Sequence, residues 1–118
     1  MRFLQFLLIL LCSSILALGQ SYTWDAYTAE NSSLKSNNLI TLNQDDDGIL
    51  WIGSDSGLTG YNGTVWVSYN ATSDNLAGDS ISSIRTSDRV ISIGTNNGLS
   101  SGHINTIDDV AWESPYRT

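Results

Sequence analysis

The sequence predicts an all-β chain built from repeated four-stranded sheets, on three observations. Ten Gly and four Trp accompany a single Pro in 118 residues, a balance that favours turns and strands over helices. A block of residues recurs about 42 positions further on, and self-similarity at a fixed period marks a repeat architecture. Within each block, short apolar or alternating runs are separated by Asp/Gly and Asn/Gly turns, and no helical periodicity is found after Gly19.

The chain opens on an address. Residues 1–19 read as a secretory signal peptide: Arg2 supplies the positive start, Phe3 to Leu18 the apolar stretch, and Ala17-Leu18-Gly19 the small residues before a cut at Gln20. A membrane anchor is the rival, but the run is short for a span of about 20 residues. A lipoprotein would acylate Cys12, where Leu11 stands in place of the small residue wanted. Removing the segment takes Arg2 and no acid, so the formal charge moves from −7 to −8. It also removes Cys12, the only Cys, which excludes a disulfide framework and a thiol nucleophile. The acidic balance excludes a nucleic-acid binder and docking to anionic lipid. The expected location is periplasmic or secreted, with no membrane insertion once the signal is gone.

Residues 20–118 then form the repeat region. Trp24-Asp25-Ala26-Tyr27 returns as Trp66-Val67-Ser68-Tyr69, and Leu34, Leu39 and Leu42 return as Leu76, Ile81 and Ile84, all at a shift of 42. Past the Asp45-Asp46-Asp47-Gly48 turn one residue is lost, so Ile52-Gly53 maps to Ile93-Gly94 and Gly57-Leu58 to Gly98-Leu99 at a shift of 41. A hairpin loop is where a deletion is tolerated best. The units are 24–65 and 66–111, followed by a stub, 112–118, that begins at Trp112 after an insertion around His103 to Asp109.

Each unit reads as four strands. In the first, Asn38 to Asn43 leads to the Asp45–Gly48 turn, where Gly48 tolerates positive φ. Ile49 to Ile52 is a continuous apolar run, Gly53 to Gly57 a second turn, and Leu58 to Tyr61 a third strand. Asn62-Gly63 turns the chain into Thr64 to Tyr69, which has period-two alternation. Four strands in about 42 residues is the unit of a β-propeller blade, which covers its faces by stacking on its neighbours. The fold class expected is therefore all-β, about two four-stranded β-propeller blades forming an incomplete propeller, preceded by a signal peptide. A ring needs at least about four blades. The missing blades are expected in the same longer chain, or self-association takes their place. Alone, the monomer is expected to be poorly stable and to expose Leu50, Ile52 and Ile93 on open blade faces.

The residues Asn43 to Ser54, with Trp51, Gly53 and then Gly57-Leu58, resemble the two-component regulator propeller repeat, and Tyr61-Asn62-Gly63 followed by Trp66 extends the likeness. Ser92 to Leu99, with Gly94, Gly98 and Leu99, is a second copy, in which Ser92 replaces the Trp and Arg89 the turn Gly. The resemblance implies seven-bladed rings in the periplasmic sensor region of hybrid histidine kinases, or in secreted proteins without a kinase. It implies recognition of an extracellular ligand, a carbohydrate being one class, and brings no catalytic residues. A secreted cell-surface or adhesion propeller is the alternative, and a propeller lyase a more distant one.

No residue is expected to be catalytic and no metal or cofactor is expected. The Asp45-Asp46-Asp47-Gly48 run lacks the spacing of a calcium loop and reads as a hairpin turn, as Asp108-Asp109 reads as a loop pair. His103, the only His, has neither a second His nor a Cys as metal partner. Trp24, Trp66 and Trp112 share a repeat position; aromatics can stack on sugars, but recurrence at one position is more simply packing between blades. Asn31-Ser32-Ser33, Asn62-Gly63-Thr64 and Asn70-Ala71-Thr72 fit a glycosylation pattern that Asn- and Ser-rich chains produce by chance.

Overall fold

The computed structural model describes residues 22–113; the expected signal segment, residues 1–19, and most of the stub, from residue 114 on, lie outside the described residues. The described chain forms two antiparallel four-stranded sheets. The first contains β1 (Leu39–Gln44), β2 (Leu50–Ser54), β3 (Gly57–Tyr61) and β4 (Trp66–Tyr69), paired in that order. A one-turn helix, α1 (Ala71–Asp74), and a loop lead to the second, with β5 (Ile81–Ser87), β6 (Val90–Thr95), β7 (Gly98–Thr106) and β8 (Asp109–Trp112), again in chain order. Both are meanders, the simplest path for strands joined by short turns.

Two expectations change here. The turn expected over Gly53 to Gly57 is shorter: β2 runs through Gly53 to Ser54, and Asp55-Ser56 alone makes the turn. Ser54 Oγ accepts from the Ser56 N–H at 3.0 Å and donates to the Gly57 carbonyl at 3.2 Å; Thr95 Oγ1 repeats both bonds, with the Asn97 N–H at 3.1 Å and the Gly98 carbonyl at 2.7 Å. Gly57 and Gly98 leave these turns at φ +134° and +119°, where a side chain is strained. Secondly, α1 escapes any search for periodicity because it is a single turn. Asn70 caps it, Oδ1 accepting from the Ser73 N–H at 2.7 Å, and Asn75 ends it at φ 63°. The fourth strand, expected over Thr64 to Tyr69, is β4: Trp66–Tyr69 pairs with β3 and closes the first sheet, although the repeat alignment groups Trp66 with the block that follows.

Directly paired residues point the same way and successive ones alternate, so the register divides each sheet into two faces. In the first sheet one face carries Thr41, Asn43, Trp51, Gly53, Leu58 and Gly60, and the other Leu42, Leu50, Ile52, Thr59, Tyr61 and Trp66. These are called the Trp51 face and the Ile52 face. One repeat later they correspond to a Ser92 face and an Ile93 face. The core lies where the Trp51 face of the first sheet meets the Ile93 face of the second. Trp51, Leu58, Tyr69, Leu76, Ile81, Ile91, Ile93 and Ile104 are buried together there. Gly53 is small because the sheets touch at that point: a Cβ would lie 2.7 Å from both Ile81 Cγ2 and Thr41 Cγ2. Thr86 donates to Asn43 Oδ1 across the junction at 2.6 Å, and Tyr69 donates its hydroxyl to the Ile107 carbonyl, also at 2.6 Å.

The stacking is therefore head to tail: unlike faces meet, and one of each kind stays open. Ile93 does not sit on an open face, as the sequence led one to expect; the first sheet covers it fully. Ile52 does belong to the open face but is only 5 % exposed, because Leu34 and Tyr27 of the segment before β1 lie on that face with it. Among the described residues, the large apolar side chains left in solvent are Tyr22, Trp24 and Tyr27 before β1, Leu39, Ile40 and Leu42 of β1, and Val65, Val90 and Leu99.

Candidate functional site

The open Ile52 face holds a groove of about 220 Å³ between β1, β2 and the segment that precedes β1. Leu39, Leu42, Leu50 and Ile52 form its floor, and Leu34, Tyr27, Tyr61 and Trp66 its wall. The wall is aromatic and ordered by its own contacts. Tyr61 stacks on Trp66, with centroids 4.0 Å apart and planes at 19°. The Tyr27 ring stands edge-on to Trp66 at 5.3 Å and 66°, and its hydroxyl lies 3.5 Å from that of Tyr61. That hydrogen bond, reinforced by the repulsion two phenolates would feel, raises the pKa of Tyr27 above the ordinary phenol value. The groove thus offers apolar area and π faces, and chemistry of that kind binds by shape and burial.

A second recess, of about 350 Å³, lies beside the hairpin turns and is lined by Asp45, Asp46, Asp47, Asp88 and Arg89. Asp45, Asp47, Asp88 and Arg89 of this lining take part in holding the fold. Asp45 Oδ1 accepts from the N–H groups of Asp47 and Ile49, at 3.0 and 2.9 Å, and Oδ2 accepts from the Trp51 indole at 3.0 Å. One carboxylate thereby closes the turn, in which Gly48 takes φ +85°, and aims the largest core side chain. Asp88 and Arg89 form the β5–β6 turn with φ 49° and 65°, values that favour Gly. The Arg89 side chain explains its presence: it donates to the carbonyls of Ile104 and Asn105, at 3.2 and 3.1 Å, and pairs with Asp47 at 3.3 Å. It ties a turn of the first sheet to the second sheet. The loss of one residue at this turn was visible in the sequence, but the reach of the side chain was not.

The other repeat positions fall into three environments. Trp51, Gly53 and Leu58 are buried between the sheets. Gly94, the counterpart of Gly53, and Leu99, that of Leu58, lie on the open Ser92 face, with Leu99 46 % exposed. The three Trp at one repeat position are not equivalent. Trp112 packs over Gly102 and edge-on against Tyr69 at 5.6 Å, its indole nitrogen buried without an acceptor among the described residues. Trp66 lies half-buried in the groove wall, and Trp24 is 93 % exposed. Packing between sheets therefore accounts for Trp112 alone.

His103 is exposed, opposite Val90 and Ala111. Asp108 accepts from the Thr106 hydroxyl at 2.6 Å beside the β7–β8 turn. The amide oxygens of Asn31, Asn62 and Asn70 each accept a backbone N–H within their own turns. Among the described residues no three His, Cys, Asp or Glu side chains gather to hold a metal ion, and no helix is long and apolar enough to cross a membrane. No protein-family model, curated protein or solved structure matches the chain.

Proposed function

We propose that the chain is a non-catalytic part of an exported β-propeller, which presents a ring surface for recognition of an extracytoplasmic ligand in a two-component regulatory system. One observation carries the reading: two four-stranded meanders stack head to tail, the Trp51 face of one on the Ile93 face of the next. That is the stacking rule of blades, which can be continued by more units of the same kind. The repeat motifs around Trp51 and Ser92 supply the link to regulatory propellers, and the apolar start of the chain supplies export. A carbohydrate is the ligand class that goes with this reading, recognised by parts of the ring that further blades complete.

Export is the decisive step to test. A phosphatase reporter that is active only outside the cytoplasm, fused after Thr118, is expected to be active, with the mature chain starting at Gln20. Deleting residues 2–19 is expected to abolish that activity. A reporter that is equally inactive with and without residues 2–19, on an uncut chain, overturns the proposal.

A further inference from the structure

The segment before β1 repeats several hydrogen bonds and contacts of the segment between the two sheets. The Ala29 N–H donates to Asn37 Oδ1 at 2.7 Å, and the Ala71 N–H to Asp79 Oδ1 at 2.7 Å. The Asn31 N–H donates to Thr28 Oγ1 at 3.3 Å, and the Ser73 N–H to Asn70 Oδ1 at 2.7 Å. The Asp55 N–H reaches the Asn38 carbonyl as the Asn96 N–H reaches that of Ser80. Leu34 and Leu76 are both buried, each against the Ile52-type face that comes after it in the chain. Tyr27 meets Trp66 at 5.3 Å and 66°, and Tyr69 meets Trp112 at 5.6 Å and 70°.

What Tyr69 does at the end of β4, Tyr27 therefore does at the end of Trp24–Tyr27. Yet β4 is hydrogen-bonded to β3, whereas Trp24–Tyr27 belongs to no strand. We infer that Trp24–Tyr27 is the fourth strand of a further blade, and that the Ile52 face is the docking surface for that blade's first three strands. The inference rests on the proposed stack of blades and names the partner that stack requires.

The same equivalence specifies the partner's chemistry. In the second sheet the counterparts of Leu39, Leu50 and Ile52 are Ile81, Ile91 and Ile93, all fully buried beneath Trp51 and Leu58. The groove over Leu39, Leu42, Leu50 and Ile52 is the corresponding socket, unfilled. Its occupant carries a Trp and a Leu at the Trp51 and Leu58 positions and a Gly at the Gly53 position for close approach. Its third strand pairs with Trp24–Tyr27. A second copy of the chain does not qualify. Its Trp51 face is already covered, and its other open face carries Ser83, Arg85, Ser92 and His103. The exposure of Trp24 has the same origin, since the strand it would cross is not among residues 22–113.

The test uses two synthetic peptides added to the protein: residues 38–61, which hold three strands, and residues 38–70, which hold all four. The three-strand peptide is expected to bind one to one and to slow hydrogen exchange at the amides of residues 24–27 by about tenfold or more. Trp51→Ala in the peptide, or Leu42→Asp in the protein, is expected to weaken binding by about tenfold or more. Binding by the four-strand peptide alone, or binding without slower exchange at residues 24–27, overturns strand completion and leaves the stack standing. Binding by neither overturns both. A dimer that buries this face and competes with the peptide overturns the partner assignment. As a check on peptide folding, residues 38–65 grafted directly before Trp24 are expected to protect residues 24–27 in one chain. A graft that leaves them in fast exchange overturns the inference.

Discussion

The open face of the first sheet carries Leu42, Leu50, Ile52, Tyr61 and Trp66, whereas the open face of the second carries Ser83, Arg85, Ser92, Ser101 and His103, with Leu99 and Val90 among them. The two sheets share a repeat, so the contrast does not come from different folds. It comes from head-to-tail stacking, which leaves unlike faces open. The Trp51 position makes the consequence concrete. In the first sheet it faces the second sheet across a dry junction and holds a Trp; in the second it faces away from the junction and holds Ser92. An apolar side chain gains by losing water, about 25 cal/mol for each Å² buried, and at an uncovered position that gain is absent. At this position the Trp marks the covered face and the Ser the open one, whereas Leu99 keeps the repeat residue on the open face at 46 % exposure.

The most forceful challenge to this contrast is to change those two positions. Trp51→Ala is expected to destabilise the protein by about 3–5 kcal/mol, the usual cost of emptying a large buried aromatic site. It also leaves Asp45 Oδ2 without the indole donor. Ser92→Trp is expected to change stability by less than about 0.5 kcal/mol, as surface substitutions do. Denaturant unfolding of both variants measures the pair, and a large gain from Ser92→Trp would show that the second open face is covered in solution.

Glycine allows a finer test. Gly53→Ala is expected to cost about 1–3 kcal/mol, because its methyl meets the packed side chains of Ile81 and Thr41. Gly94→Ala, one repeat on, meets Ser83 Oγ at 2.6 Å and Ser82 Oγ at 3.4 Å, the hydroxyls of two exposed residues of β5. There the change is expected to lie within about 0.5 kcal/mol of zero, the smaller freedom of the unfolded alanine chain offsetting the slight crowding. Thermal melts of the two variants give the difference, and equal melts would refute the stacking contact.

A titration should give the mildest change. Burial between the sheets, with help from Asp108, Asp74 and Asp109, pushes the Tyr69 hydroxyl up to about 12. The folded value is above the ordinary one, so this contribution is complete below about pH 10 and is lost as pH rises toward 12. Unfolding measured from about pH 9 to 12 is expected to show that decline, and Tyr69→Phe is expected to flatten it. An unchanged slope in Tyr69→Phe would place Tyr69 outside the dry junction.

The strands and hairpins were legible in the sequence because period-two alternation and Asp/Gly or Asn/Gly turns are local signals. Leu39–Gln44 and Trp66–Tyr69 fall within two residues of where the pattern places them. The strand pattern also placed Thr64 to Tyr69 after the Asn62-Gly63 hairpin, and Trp66–Tyr69 does pair with β3, although a repeat alignment groups Trp66 with the block that follows and does not register which neighbour a strand pairs with. The burial of Ile93 and of Ile52 depended on which face meets which, a fact of the stack and not of either strand. The groove wall depended on Tyr27 crossing to Trp66, and its trace in the sequence was the 42-residue match of Tyr27 with Tyr69, whose contact with Trp112 it copies.

The four tryptophans also make the protein its own optical gauge. Trp51 emits from a dry site beside a carboxylate, Trp112 from a half-shielded one, Trp66 from a stack on Tyr61, and Trp24 almost from bulk water. A dissolved quencher reaches Trp24 first and Trp51 last. Fluorescence therefore reads two places in the stack separately, with no label attached: red emission reports the segment before the first sheet, and blue emission the junction between the sheets.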